Sequence, residues 1–264
     1  MKVAIIGAGN MGGAVARAMA QGTKVCTSDI TVSNPSRGKL DALKSEYPEI
    51  NVTTDNKAAV KDADLVVLAV KPWKIEEVIT EVKDEIYSSN SMVASMAAGV
   101  STHQIDEWLH KSFQELPSVF LIVPNTAIEI RQSMTFIASV RSTKEKNEMV
   151  MDIFREAGEV MMVEERLIPA GTALASCGIA YAMRYLRAAM EGGVELGFYP
   201  KDAQQIVMQT MKGAVELLLA HGTHPETEID RVTTPGGITI KGLNAMEESG
   251  FTASVIDGLR ASKI

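Results

Sequence analysis

The run DLVVLAVKP, residues 64–72, is apolar at every position from 65 to 70. A strand with one wet face alternates polar and apolar residues. One that is apolar throughout has both faces covered, as inside a parallel sheet flanked by helices. Similar short runs surround it. KVAIIG, ITVSN and NVTT come before and SMVASMAAG and FLIVPN after, with the helical patterns NMGGAVARAMAQG, GKLDALKSEY and NKAAVKDA between the earlier ones. This β-α-β-α order predicts an α/β domain whose parallel sheet is covered on both faces. Past about residue 160 the strand signal stops. ALASCGIAYAMRYLRAAMEGGVELG and KDAQQIVMQTMKGAVELLLAHG read as long helices stopped by Gly197 and Gly222, and TIKGLNAMEESG and TASVIDGLRAS as shorter ones. The chain is therefore expected to divide into an α/β domain, 1–160, and an all-helical domain, 161–264. Met183, Met190, Met208 and Met211 are expected to fill the helical core.

GAGNMG places Gly7, Gly9 and Gly12 in the G-x-G-x-x-G arrangement, directly after the first strand and opening the first helix. In that context the pattern cradles a dinucleotide. Gly7 makes the turn, Gly9 lets the backbone approach the pyrophosphate, and Gly12 lets the helix pack close. Asn10 and Met11, in the same helix start, join them as candidate cofactor contacts. The next strand ends TVSNPSRGK, offering Ser33, Asn34, Ser36 and Arg37 where an NAD site presents an acid. Asp29 precedes the β-branched run and lies on the approach to the strand. Neutral donors with a guanidinium suit a 2′-phosphate, so NADP(H) is the expected cofactor. Ligands of doubly wound sheets bind outside the carboxyl ends of the strands. That makes Ala69, Val70, Lys71 and Pro72 of LAVKPW, Ala97 of SMAAGVS and Asn125 of VPNT candidate walls of the site. For Lys71 two readings stand: a group near the reacting atoms, or a solvent-facing lysine at a strand end.

Composition excludes some classes of function. The net charge is −7 and no basic block occurs, which speaks against nucleic acid as a partner. The two cysteines, Cys26 and Cys177, have neither metal-ligand nor C-x-x-C spacing, so a reduced, cytoplasmic setting without a metal is expected. MKVAIIGAG lacks the plan of a signal peptide, and the apolar stretch 174–196 is interrupted by Arg184, Arg187, Glu191 and Glu195, against a membrane span.

Near the other end, RVTTPGGITIKGL reads as a turn at Pro235-Gly236-Gly237 opening into a helix near Thr239. Unpaired N–H groups and the helix dipole at such a start grip anions. In order, GAGNMG, VSNPSR, LAVKP, SMAAGVS, PNT, GVELG and VTTPGGITI resemble the pyrroline-5-carboxylate reductase family from Gly7 to about Ser262. The resemblance implies an N-terminal Rossmann domain and a helical domain that builds an intertwined dimer, with the active site between the cofactor and the partner's helices. It also implies reduction of a small cyclic imine carrying a carboxylate. The carboxylate would lie on the N–H groups of Gly236, Gly237, Ile238 and Thr239. Thr234 would add a donor, and the Thr239 hydroxyl, a candidate catalytic group with Lys71, would reach the ring nitrogen. His221 and His224 are expected at the surface rather than as acids. Departures from the family pattern are Ala127 after PNT, Phe120 and Leu121 where an arginine is usual, and ASCGI at 175–179. Two other readings fit the same residues. One is a related NADP-dependent enzyme acting on another imine or ketone; the lysine of a β-hydroxyacid dehydrogenase is absent, since this stretch carries Arg184 instead. The other is a non-catalytic NADP-binding protein.

Overall fold

The structure is a computed structural model and describes residues 1–263. It forms two compact units, Met1–Ser176 and Cys177–Lys263. In the first, the strands are β1 Val3–Ile6, β2 Ile30–Ser33, β3 Asn51–Thr53, β4 Leu65–Leu68, β5 Met92–Ser95, β6 Val119–Val123, β7 Ser133–Val140 and β8 Gly158–Met162. Between and around them run α1 Asn10–Ala20, α2 Arg37–Glu46, α3 Asn56–Val60, α4 Ile75–Ser89, α5 Thr102–Leu109, α6 Lys144–Arg155 and α7 Ile168–Gly171. One sheet results, ordered β3-β2-β1-β4-β5-β6-β7-β8.

β4 lies between β1 and β5, parallel to both, and all four of its residues are buried. Alternate residues serve opposite faces. Ile5, Val67, Ala94 and Ile122 pack with Val15, Met19 and Phe154 of α1 and α6. Ile6, Val66, Leu68 and Val93 pack with Ile79, Val82 and Ile105 of α4 and α5. Each fully buried aliphatic side chain of this kind stabilises the fold by about 1.5–3 kcal/mol relative to exposure. α4 buries Ile75, Val78, Ile79, Val82 and Ile86, a stripe at helical spacing, and ends at Asn90 in the left-handed conformation.

Two strands differ from the alternating pattern. β7 and β8 were not among the expected runs, and β7 is antiparallel to β6. The reason is length: residues 124–132 alone connect them, and a parallel crossover needs a dozen residues or more. Thr126–Ile130 forms a 3₁₀ turn in that connection, closed by Arg131 at φ 58°. The unit boundary also lies later than 160/161. β8 continues to Met162, and the following segment packs on the sheet, where a Cβ on Gly171 would come 2.8 Å from the Phe136 ring. The long helix expected here is interrupted by a π-helical stretch, Thr172–Cys177, which contains most of the divergent ASCGI phrase.

The second unit comprises α8 Gly178–Glu195, α9 Pro200–His221, α10 Pro225–Arg231, α11 Ile238–Glu248 and α12 Phe251–Ala261. Gly197 (φ 103°) and Gly222 (φ 62°) terminate the long helices as expected. The methionine reading is corrected. Ala203 is the one buried residue of this unit among those described, and Met183 and Met208 are 63% and 48% exposed. Tyr185, Leu217, Val255 and Ile256 are exposed as well. Within a single chain these helices amass an apolar surface without covering it. No helix among the described residues is long and apolar enough to cross a membrane, and no cluster of three or more metal-ligating side chains occurs among them.

Candidate active site

The three glycines of the first turn have three different reasons to lack a side chain. Gly7 sits at φ 106°, and a Cβ there would lie 2.7 Å from the Ala69 carbonyl oxygen. A Cβ on Gly12 would lie 1.9 Å from the Gly7 carbonyl oxygen and 2.8 Å from the Ala69 Cβ. Gly9, the residue before α1, has ordinary dihedrals and nothing within 4 Å of its missing Cβ. The space at Gly9 is therefore open. No side chain caps α1 there, which leaves its first N–H groups for an anion.

Around this turn the carboxyl ends of β1, β2, β4 and β5 enclose a crevice of about 770 Å³. Gly7, Gly9, Asn10, Met11, Asn34, Ala69, Val70, Lys71, Pro72 and Ala97 line it. Asn34 also supports the turn: its Oδ1 accepts from the Ala8 N–H at 3.1 Å, while its Nδ2 donates to Ser36. Gly12 is not in the lining, and four further candidates stand elsewhere. Ser33 is wholly buried, and its hydroxyl donates to Asn56 Oδ1 at 2.7 Å. Ser36 precedes α2 and accepts from Asn34, and Arg37, exposed as the first residue of that helix, is outside the crevice lining. Asn125, 5% exposed, accepts from the Ala127 N–H and donates to the Ala175 carbonyl, so its amide secures the turn before β7.

Residues that sequence reasoning missed include Lys39, Asn56, Lys74, Glu77, Glu81, Met96 and Ala98. Lys39 had a visible signal, being the second basic residue in SRGK. Asn56 had none, since its role comes from contacts with Ser33 and with Glu81 at 2.8 Å, residues far away in sequence. Lys74 is paired with Glu77 at 2.6 Å, whereas Lys39 and Lys71 pair with no carboxylate among the described residues. The crevice thus offers two lysines and one carboxylate, Glu81, outside any ion pair among the described residues, and a helix start.

In the helical unit, Gly237 N–H donates to the Thr234 carbonyl at 2.9 Å, closing a turn with Gly236 at φ 72°. Gly237 is therefore spent inside the turn, a correction to its expected place in the anion cradle. A Cβ on it would meet the Thr234 hydroxyl at 2.5 Å. α11 starts at Ile238 with no side-chain cap, and among the described residues nothing accepts from the N–H groups of Ile238 and Thr239. Thr234 and Thr239 are exposed. Just before the turn, Glu228 accepts from Thr223, from Arg231 at 2.6 Å and from His221 at 3.1 Å. The Thr223 hydroxyl first, then His221 and Arg231, hold this carboxyl down at about 2. His224 accepts from the Glu226 N–H through Nδ1 and caps α10.

The sheet order, the glycine turn and the crevice at the strand ends define a chain of the Rossmann dinucleotide-binding class with a helical C-terminal unit. A family model described as pyrroline-5-carboxylate reductase dimerisation matches residues 165–263, and one described as NADP oxidoreductase, coenzyme F420-dependent, matches residues 2–99. The chain is 37% identical to pyrroline-5-carboxylate reductase 1 of Dictyostelium discoideum across 98% of its own length and 48% of that protein, so it spans about half of that relative. It is 32% identical to pyrroline-5-carboxylate reductase of Methanosarcina acetivorans, covering 99% of this chain and 96% of the other. The solved structure of Plasmodium falciparum pyrroline carboxylate reductase with NADP bound shares the fold, with a TM-score of 0.88 at 24% identity over 99% of this chain and 95% of that one. The chain belongs to the pyrroline-5-carboxylate reductase family.

Proposed function

We propose that this protein reduces 1-pyrroline-5-carboxylate to L-proline with NADPH. The observation that carries the reading is the presence, in one chain, of two separate anion cradles: the glycine turn before α1 and the uncapped start of α11. The first suits a dinucleotide and the second a small carboxylate. NADPH supplies the hydride that goes to the C=N carbon. The chain's task is placement, and well-held reaction partners gain roughly 7–11 kcal/mol of the barrier. The α1 start and Gly9 would receive the pyrophosphate, with Lys39 near the 2′-phosphate and Lys71 near the nicotinamide end. The N–H groups of Ile238 and Thr239 would hold the substrate carboxylate with the dipole of α11 behind them, Thr234 adding a hydroxyl. An imine protonated in solution arrives as the better hydride acceptor, and the Thr239 hydroxyl would orient its nitrogen. A homodimer in the cytoplasm belongs to the same proposal; the dimerisation family model and the uncovered apolar helices support the first part, and two free cysteines the second.

The test is NADPH oxidation with pyrroline-5-carboxylate, with proline identified by chromatography. Cofactor bound but never oxidised with any imine would favour a non-catalytic protein. Thr239→Val is expected to lower kcat/KM by about 10–100-fold, the loss of one hydrogen bond to a charged group, with NADPH affinity intact. A fall in NADPH affinity would put Thr239 in the wrong role. For cofactor choice, Lys39→Ala should weaken NADPH by about tenfold and leave NADH unaltered, as expected for one lost charge-assisted contact. Arg37→Ala should do less. A larger effect at Arg37, read from titrations with both cofactors, would restore the guanidinium as the determinant.

A further inference from the structure

The crevice wall at Met96, Ala97 and Ala98 follows β5 and begins the loop that enters α5. The first turn of α5 is held twice. Ser101 and Gln104 form a reciprocal capping box, with Ser101 Oγ accepting from the Gln104 N–H at 3.2 Å and Gln104 Oε1 from the Ser101 N–H at 3.0 Å. The second hold comes from the turn after β8. Glu165 accepts from the Thr102 N–H at 2.9 Å with one oxygen and from the Thr102 hydroxyl at 2.5 Å with the other. Thr102 is 6% exposed, and Glu165 is the acceptor for both its N–H and its hydroxyl. The local capping box already satisfies the helix start. The carboxylate adds something else: it fastens the loop 96–101 to the segment 165–167, which is itself anchored to the sheet through Ile168 and Gly171.

With the pyrophosphate at α1 and the adenosine half toward Asn34 and Lys39, the nicotinamide half of a dinucleotide lies at the ends of β4 and β5. We propose that Glu165 is a positioning residue for that half: acting through Thr102, it fixes the wall of residues 96–98 against which the nicotinamide must lie. This rests on the reductase reading above. Glu165→Ala, Glu165→Gln and Thr102→Val in the full chain are to be compared with the parent in four respects: steady-state kinetics, NADPH binding, binding of 2′,5′-ADP (the adenosine half alone), and hydrogen exchange at residues 96–104. Glu165→Ala is expected to lower kcat about tenfold and weaken NADPH, the scale of a small misplacement, while 2′,5′-ADP affinity stays within about twofold and exchange at 96–101 accelerates. Glu165→Gln, which keeps an acceptor for the N–H, should recover most of kcat, and Thr102→Val should fall between the two. Losses of 2′,5′-ADP affinity and thermal stability in step with kcat would mark a merely structural residue and overturn the proposal, as would unchanged kcat and exchange. If the parent never oxidises NADPH with pyrroline-5-carboxylate, the reductase reading fails by itself. The contrast between NADPH and 2′,5′-ADP binding, together with exchange at 96–101, then still decides for or against Glu165.

Discussion

Gly9→Ala and Gly12→Ala are expected to impair NADPH binding through different physics, and the difference is measurable. At Gly9 the new methyl meets no protein atom within 4 Å and the backbone is ordinary, so the melting temperature should hardly change. On the proposed reading the methyl would occupy the space left for the pyrophosphate, and NADPH affinity should drop by about 10–100-fold, roughly 1.4 kcal/mol for each tenfold. At Gly12 the methyl would lie 1.9 Å from the Gly7 carbonyl oxygen, and relief requires backbone movement rather than a rotamer change. Overpacking of this kind destabilises by about 1–3 kcal/mol. The shift of α1 also misaims its free N–H groups, so Gly12→Ala should lose both stability and affinity. Thermal unfolding and NADPH titration on the two variants decide the matter. An unchanged NADPH affinity in Gly9→Ala would remove the dinucleotide from this turn.

This turn was legible in the sequence because its requirements are local: strand, glycine spacing and helix follow one another within a few residues. β4 was legible for a similar reason, since burial on both faces leaves a continuous apolar run. β7 was not. Its polar residues Ser133 and Thr135 are buried, satisfied by each other and by the Asn125 N–H, a hydrogen-bond arrangement that only the folded chain supplies. Likewise Ser33 has the right place in the sequence for a cofactor contact but spends its hydroxyl on Asn56. Asn125 spends its amide on backbone groups at 127 and 175. Spacing shows which residues come near a crevice; it does not show where a hydroxyl or amide has already found its partner. Gly237 taught the same lesson at the second cradle, where its N–H closes the turn that shapes the site.

Leu217→Asp and Val255→Asp are expected to abolish assembly and with it most of the activity. In a monomer these substitutions would be nearly silent: Leu217 is 47% and Val255 45% exposed, and surface changes usually stay within about 0.5 kcal/mol. Yet α8 and α9 are long, amphipathic and almost devoid of buried residues, and a helical unit of this size ordinarily encloses a core of its own. An apolar surface this extensive is stable in water when another surface covers it. If that cover is a second copy, each aspartate places an unpaired charge in a desolvated interface, and the symmetry of a dimer doubles the damage. Light scattering after gel filtration should then find the parent as a dimer or larger and the variants as monomers, with kcat/KM down by at least about a hundredfold if the site needs groups from both copies. Variants that remain assembled and active would show that the apolar helices are covered in some other way. Variants that are monomeric yet fully active would instead separate assembly from catalysis and place the whole site within one chain.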